Sequence, residues 1–200
     1  YNPRNPSNYY REIIKNQVWG GTIGMQWHIE EAEYDQNLDK YRIWRRKQIT
    51  QIEEFLSINN QYQYIAEIGC GNGKYIDYIS RKLGSKYKYI GIDLSEDQIE
   101  WNKEYYKNNQ KLRFYHGEAG NIKSIHSEPN TLFLTFGTLS CFTQVELDDW
   151  LFKTKPTSGK NAVSIAEWII DYDYEKETES VPMSPALYNH NYVVRLQKVG

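Results

Sequence analysis

Three glycines at alternate positions, flanked by two acidic residues, are the residues of this chain best suited to ligand binding. Gly69, Gly71 and Gly73 are separated by single residues, Glu67 stands two residues before them, and Asp93 stands twenty residues after them. Glycine lets the backbone turn sharply and approach a ligand where a side chain would collide. A carboxylate can accept hydrogen bonds from two adjacent hydroxyl groups, such as those of a ribose. The spacing therefore predicts a nucleoside or nucleotide site.

A strand, a turn and a helix must position these glycines. Residues 64–68 are mostly apolar and predict a strand buried on both faces. After the turn, Ile76, Ile79 and Leu83 recur at spacings of three and four, which predicts an amphipathic helix. Residues 87–93 predict a second strand that ends on Asp93, where a ribose-binding carboxylate belongs in a strand–helix–strand unit.

Other interpretations of the same residues exist. The dinucleotide pattern Gly-x-Gly-x-x-Gly does not fit, because the third glycine comes one residue early, and a tight turn without a ligand is an alternative. Asp93 could simply help to start the next helix. Ser95 and Gln98 already form a Ser-x-x-Gln pattern, which predicts a capping box without Asp93.

The run Glu67-x-Gly69-x-Gly71-x-Gly73 resembles the first motif of class I S-adenosylmethionine-dependent methyltransferases, of the small-molecule type. The resemblance covers roughly residues 62–168 and implies an α/β fold, a doubly wound Rossmann-like sheet in the order 3-2-1-4-5-7-6. It also implies S-adenosyl-L-methionine as the cofactor. We predict an N-terminal helical cap at residues 1–61 and the cofactor-binding domain at residues 62–200. Strands six and seven have no evident sequence, and residues 182–192 are predicted as a loop that leads into a final helix.

Further cofactor contacts follow from the resemblance. Residues 117–119, Gly-Glu-Ala, come after a third strand at residues 112–116 and are similar to the Gly-Asp-Ala that contacts adenine in this family; a surface turn is the alternative. A fourth strand at residues 131–136 ends beside the expected methionine end of the cofactor. The implied cofactor site consists of Glu67, Gly69, Gly71, Gly73, Asp93, Leu94, Gln98, Glu118, Ala119, Phe136 and Gly137.

The remaining elements are predicted from apolar spacing. Helices are expected at residues 38–56, 95–108 and 145–152, and a fifth strand at residues 162–166.

Composition limits the function. The formal net charge of −2 and pI near 6.1 give no electrostatic reason to expect a nucleic-acid partner, and the basic cluster from Arg42 to Lys47 is expected to be a solvated helix face. Two cysteines make neither a disulfide framework nor a metal site, and Asp148 and Asp149 are expected on a solvated helix face, so no metal is predicted. No apolar run approaches a membrane span and no signal peptide is evident, so a cytoplasmic location is expected.

The function that this resemblance implies is methyl transfer to a small-molecule acceptor, with a hydroxyl of a sugar or secondary metabolite as the first candidate. His190, His28 and Glu167 are the candidate catalytic bases, because they lie in segments expected to close over the acceptor. Two alternatives stay open: another nucleoside-dependent transferase, such as an aminopropyltransferase-like enzyme, or a non-catalytic cofactor-binding scaffold.

Overall fold

A computed structural model describes residues 39–156, 158–166, 181–184 and 187–189, with side chains between 46 and 166. Five parallel strands form one sheet in the order β3-β2-β1-β4-β5. Their bounds are Tyr64–Ile68 for β1, Lys88–Asp93 for β2, Leu112–His116 for β3, Thr131–Phe136 for β4 and Ala162–Ala166 for β5. The five strands and their order confirm the prediction of a doubly wound Rossmann-like sheet.

Helices alternate with the strands, as parallel pairing requires. They are α1 (Asp39–Ile58), α2 (Lys74–Leu83), α3 (Glu96–Tyr105), the short α4 (Ile122–Ile125) and α5 (Gln144–Lys153). Helix α3 is shorter than the predicted helix at residues 95–108. Helix α5 begins with a capping box, in which Thr143 and Glu146 bond each other's backbone N–H groups.

The core has two layers, one on each face of the sheet. One face packs against α1, α2 and α3, and α1 contributes Ile49, Ile52 and Leu56, which recur at spacings of three and four. The other face packs against α4 and α5, where Trp150 is fully buried. Because strands alternate their side chains, Ile65 and Ala66 in β1 belong to opposite layers.

The segment after β5 differs from the prediction. Val181–Ser184 (β6) and Leu187–Asn189 (β7) form an antiparallel hairpin, separate from the five-stranded sheet, where a loop and a helix were expected. Pro182 within this segment is typical of a loop, because proline has no N–H to donate to a strand ladder. Proline is tolerated in edge strands, however, and both strands of an isolated hairpin are edges.

No helix in the part of the chain that the structure describes is long and apolar enough to cross a membrane.

Candidate functional site

The glycine turn between β1 and α2 uses its three glycines differently. A Cβ at Gly69 would lie 2.3 Å from Thr138 Oγ1, and one at Gly73 would lie 2.8 Å from the Phe114 ring. These two glycines make room for neighbouring side chains. At Gly71 the backbone has φ of +49° and a Cβ would meet nothing within 4 Å. Gly71 therefore leaves open space over the turn. Such space is needed where the backbone approaches a ligand closely.

Asp93, the last residue of β2, is tied to this turn. Its Oδ2 accepts a hydrogen bond from the Gly71 backbone N–H at 2.8 Å, and its Oδ1 accepts one from the Ser95 N–H at 2.9 Å. Each carboxylate oxygen has two acceptor sites, so further donors can still bind. Burial raises the pKa of the Asp93 carboxyl, while the N–H groups of Ser95, Gly71 and Leu94 act in the opposite direction.

The capping prediction for α3 is corrected by these bonds. Ser95 Oγ accepts from the Gln98 N–H at 3.3 Å, as expected of the N-cap residue. The Gln98 side chain does not complete a capping box; it donates to Asn102 Oδ1 at 3.0 Å. Asp93 takes the Ser95 N–H instead, so the carboxylate both braces the glycine turn and starts α3. Asp93 was wrongly judged unnecessary for the helix start.

Asn102 is a contact that the sequence analysis missed. It is fully buried in α3, and its Nδ2 donates to the Gly71 carbonyl oxygen at 2.7 Å. Gln98 therefore supports the glycine turn through Asn102. The available signal was a pair of amide side chains four residues apart on one helix, which brings them together.

Cys70 lies inside the turn as a buried, free cysteine. Burial, followed by the nearby charges of Asp93 and Glu67, raises its thiol pKa well above the ordinary value. A thiol that stays protonated is a poor nucleophile, which agrees with the packing role expected for Cys70.

A cavity of about 280 Å³ opens beside the turn, at the carboxyl ends of β1 and β2. This volume is close to the lower end of the roughly 300–1,000 Å³ typical of small-molecule sites. The predicted site residues that line it are Gly69, Asp93, Leu94, Glu118 and Ala119.

The other predicted cofactor residues do not line this cavity, namely Glu67, Gly71, Gly73, Gln98, Phe136 and Gly137. Glu67 is buried in β1, between Gly91 of β2 and Leu134 of β4. The Phe136 ring lies 5.5 Å from the Tyr75 ring, and the Gly137 N–H donates to the Ala166 carbonyl at 2.8 Å.

Helix α5 supplies the wall of the cavity that the sequence analysis missed. Glu146, Asp149 and Lys153 of the helix line it, together with Phe142, which lies just before the helix. The expectation that Asp149 belongs to a solvated face is therefore incomplete, since its carboxylate also borders the cavity. In the sequence, a charged helix residue that lines a cavity looks the same as one that faces solvent.

The three predicted catalytic residues, His28, Glu167 and His190, lie outside the described residues. One described feature borders the segment that holds His190. The strand β7, which His190 follows in the chain, contacts the turn Leu139–Cys141 after β4. Among the described residues, no cluster of three or more His, Cys, Asp or Glu side chains is arranged to hold a metal ion.

Comparison with known proteins finds a similar domain and similar folds. Residues 65–154 match the family model described as a methyltransferase domain. A SAM-dependent methyltransferase from Aquifex aeolicus has a similar structure, with a TM-score of 0.51 and 18% identity over 74% of this chain and 78% of that one.

Two further structures share the fold. The CurJ carbon methyltransferase matches with a TM-score of 0.53 and 16% identity, and the [4+2]-cyclase SpnF with 0.54 and 13%. Each match covers 70% of this chain, but only 41% of the CurJ chain and 52% of the SpnF chain, so this chain spans about half of their length. No curated protein matches the sequence.

The parallel sheet, the glycine turn and the acidic end of β2 define a Rossmann-like nucleoside-binding domain. Residues 65–154 of it are similar to a methyltransferase domain, and the similar structure from Aquifex aeolicus is that of a SAM-dependent methyltransferase. The cofactor that this similarity implies is S-adenosylmethionine. The residues present fit it, because Gly71 leaves open space above the turn and the Asp93 carboxylate borders the adjoining cavity.

Proposed function

We propose that this protein is an S-adenosylmethionine-dependent methyltransferase that acts on a small-molecule acceptor, with a hydroxyl of a sugar or secondary metabolite as the first candidate. The bond from the Gly71 N–H to Asp93 Oδ2 carries the proposal most directly, because it joins the open turn to a carboxylate at the cavity. The match of residues 65–154 to a methyltransferase domain supports the same function.

The proposed cofactor site assigns roles to the chain's own residues. Asp93 holds the ribose hydroxyls, while Glu118 and the Ala119 backbone bind the adenine edge. Gly71 lets the backbone approach the cofactor, and Phe136 and Gly137 border its methionine end. Glu67 and Gln98 support the cofactor site from buried positions, and Leu94 contributes an apolar wall to the cavity.

The bound cofactor supplies an electrophilic methyl group on its sulfonium. The chain then has to orient an acceptor lone pair and exclude water, and orientation of this kind can lower a barrier by several kcal/mol, up to about 7–11 kcal/mol. A base is needed when the acceptor is a hydroxyl.

Glu167, His190 and His28 are the proposed bases. Glu167 directly follows Ala166, whose carbonyl accepts from the Gly137 N–H, and His190 directly follows β7, which contacts Leu139–Cys141. These positions favour the end of the sheet where β4 and β5 finish. The proposal includes no metal, so activity that a chelator removes and magnesium restores would contradict that part.

The charge of the protein favours a small acceptor over a nucleic acid. The net charge is −2, and the basic side chains that the structure describes on α1, Arg46 and Lys47, are exposed to solvent. An isolated basic cluster on a helix is usually a solvated face. From the last residue of β4 onward the chain reads Phe-Gly-Thr-Leu, which resembles small-molecule methylators more than nucleic-acid methylators.

The test is transfer of a labelled methyl group from S-adenosylmethionine to a panel of sugars and hydroxylated metabolites. The expected result is a labelled product together with an equal amount of S-adenosylhomocysteine. Cofactor binding without turnover on any acceptor would favour a scaffold. Turnover only with decarboxylated cofactor would favour an aminopropyltransferase-like enzyme. The structural likeness to a protein described as a [4+2]-cyclase makes product analysis necessary, because this fold hosts other chemistry.

A further inference from the structure

Helix α5 places an acidic and a basic side chain on the cavity wall. Lys153 Nζ donates to Asp149 Oδ2 at 2.6 Å, and both residues line the cavity. Glu146 lies on the same wall, but its Oε2 accepts from the N–H and the hydroxyl of Thr143 at 2.8 and 2.9 Å. Glu146 is thus committed to starting the helix, whereas the Asp149–Lys153 pair lies beyond that cap.

The Asp149 carboxylate lies close to the turn that follows β3. A Cβ built on Gly120 would be 3.6 Å from Asp149 Oδ2. Gly120 comes directly after Glu118 and Ala119, the two residues proposed to bind the adenine edge. Asp149 and Glu118 therefore line the same cavity from different elements, α5 and the segment after β3.

We propose that Asp149 is a specificity-determining residue that accepts a hydrogen bond from the exocyclic amino group of the cofactor's adenine. This inference rests on the proposed function. The amino group has two N–H donors, so Glu118 can accept one and Asp149 the other. A carboxylate has about four acceptor sites, and the bond from Lys153 uses one of them.

Lys153 acts as a positioning residue. Four acidic residues line the cavity, namely Asp93, Glu118, Glu146 and Asp149, and Lys153 is the basic residue among the lining side chains. Its ammonium group holds Asp149 at the wall and offsets the like charges around the bound purine.

The simpler explanation is an ordinary helix-surface ion pair. The side chains of Lys153 and Asp149 are 37% and 44% exposed, and pairs four residues apart on a helix add only a little stability. The chain offers a matched pair for comparison. Lys103 Nζ donates to Glu100 Oε1 at 2.7 Å on α3, with side-chain exposures of 49% and 63%, and neither residue lines the cavity.

The test is calorimetric binding of two ligands to the whole chain. One ligand is S-adenosylhomocysteine, and the other is its purine analogue, in which hydrogen replaces the exocyclic amino group. The wild-type chain should bind the analogue about 10- to 100-fold more weakly, because it loses charge-assisted hydrogen bonds. In Asp149→Asn this ratio should fall several-fold, and S-adenosylhomocysteine itself should bind more weakly. Glu100→Gln should leave both affinities at the wild-type level, and thermal melting checks that each variant folds.

The outcomes separate the two proposals. A ratio in Asp149→Asn equal to the wild-type ratio would overturn the role of Asp149 while leaving the cofactor site in place. A wild-type chain that binds no S-adenosylhomocysteine would contradict the proposed function and this inference together. Lys153→Met should also lower the ratio, though less than Asp149→Asn. An unchanged ratio in Lys153→Met would overturn its positioning role.

Discussion

The Asp93 carboxylate binds the protein's own backbone and is also the group proposed to bind the ribose. It accepts from two backbone N–H groups, so removing the side chain would disturb the glycine turn and the start of α3 as well as any ribose contact. A change in the ligand isolates the ribose contact better than a change in the protein.

We predict that S-adenosylhomocysteine lacking the ribose hydroxyls binds the wild-type chain about 1.5–3 kcal/mol more weakly than the intact ligand, the range for a hydrogen bond to a charged group. The penalty should shrink in Asp93→Asn, whose amide has lost the charge and one acceptor oxygen. Calorimetry measures the affinity of each of the two ligands for each of the two proteins. Equal affinity of the wild-type chain for the two ligands would remove Asp93 from the ribose.

Gly71 has a natural control elsewhere in the chain. Both Gly71 and Gly84 have positive φ, +49° and +74°, and a Cβ at either would meet nothing within 4 Å. Gly71→Val and Gly84→Val therefore both carry backbone strain, and Gly84 has a ψ of −153°, in a region that is essentially open only to glycine. Each variant should lower the free energy of unfolding by about 1–3 kcal/mol.

Only Gly71→Val should abolish binding of S-adenosylhomocysteine, because its side chain enters the open space above the turn. Chemical denaturation and calorimetry measure the two effects separately. If both variants bind alike, Gly71 is not where the backbone approaches the cofactor.

Single elements differ in how well their sequence predicts them. All five strands of the main sheet were predicted, with β2 one residue shorter than expected, because each is a short buried run with β-forming residues. The hairpin β6–β7 was missed because β6 contains Pro182, and a proline within a run argues against a strand. The inner face of α5 was missed because Asp149 and Lys153 at a spacing of four also match an exposed helix.

Helix α1 is fastened to the sheet by one buried amide. Gln48 is 4% exposed; its Oε1 accepts from the Tyr75 hydroxyl at 2.5 Å, and its Nε2 donates to Ser164 Oγ at 3.1 Å. It joins α1 to α2 and β5, which no sequence pattern indicated because the contacts span long chain separations.

We predict that Gln48→Leu lowers the free energy of unfolding by about 1–3 kcal/mol, since buried hydrogen-bonding groups lose a partner. Gln51→Leu, on the exposed side of the same helix, should change it by less than about 0.5 kcal/mol. Urea denaturation measures both variants. Equal stability of the two would show that the amide does not fasten α1.

At the scale of the whole molecule, stability should depend on pH through His126. The ring is buried, and its Nε2 lies 2.8 Å from Thr131 Oγ1, which itself donates to the Glu128 carbonyl. The Thr131 oxygen therefore accepts from a His126 N–H, as a neutral ring allows. Burial lowers the His126 pKa below its ordinary 6.5, against the opposing effect of Glu128.

A lowered folded pKa means that the unfolded chain binds the proton first. Stability from His126 is thus present above pH 6.5 and is lost as the pH falls below it, by at most about 1.4 kcal/mol per pH unit. Urea denaturation at pH 7.5, 6.5 and 5.5 should show a smaller decrease in His126→Gln than in the wild type. Identical decreases would assign the pH dependence to other groups.

The position of the site follows from the topology of the sheet. The order 3-2-1-4-5 reverses direction between β1 and β4, and ligands of such sheets bind beyond the carboxyl ends of the strands at that reversal. The glycine turn leaves β1 there, which is why the cofactor side could be predicted from sequence. The acceptor side could not, because no sequence motif marks its candidates His28, Glu167 and His190.

The most direct test of the central claim is a crystal structure of the protein with S-adenosylhomocysteine. The account predicts the adenosyl group in the cavity, with the ribose hydroxyls on Asp93, the adenine beside Glu118 and the amino acid part over Gly71. A ligand bound elsewhere, or one whose ribose does not contact Asp93, would contradict it.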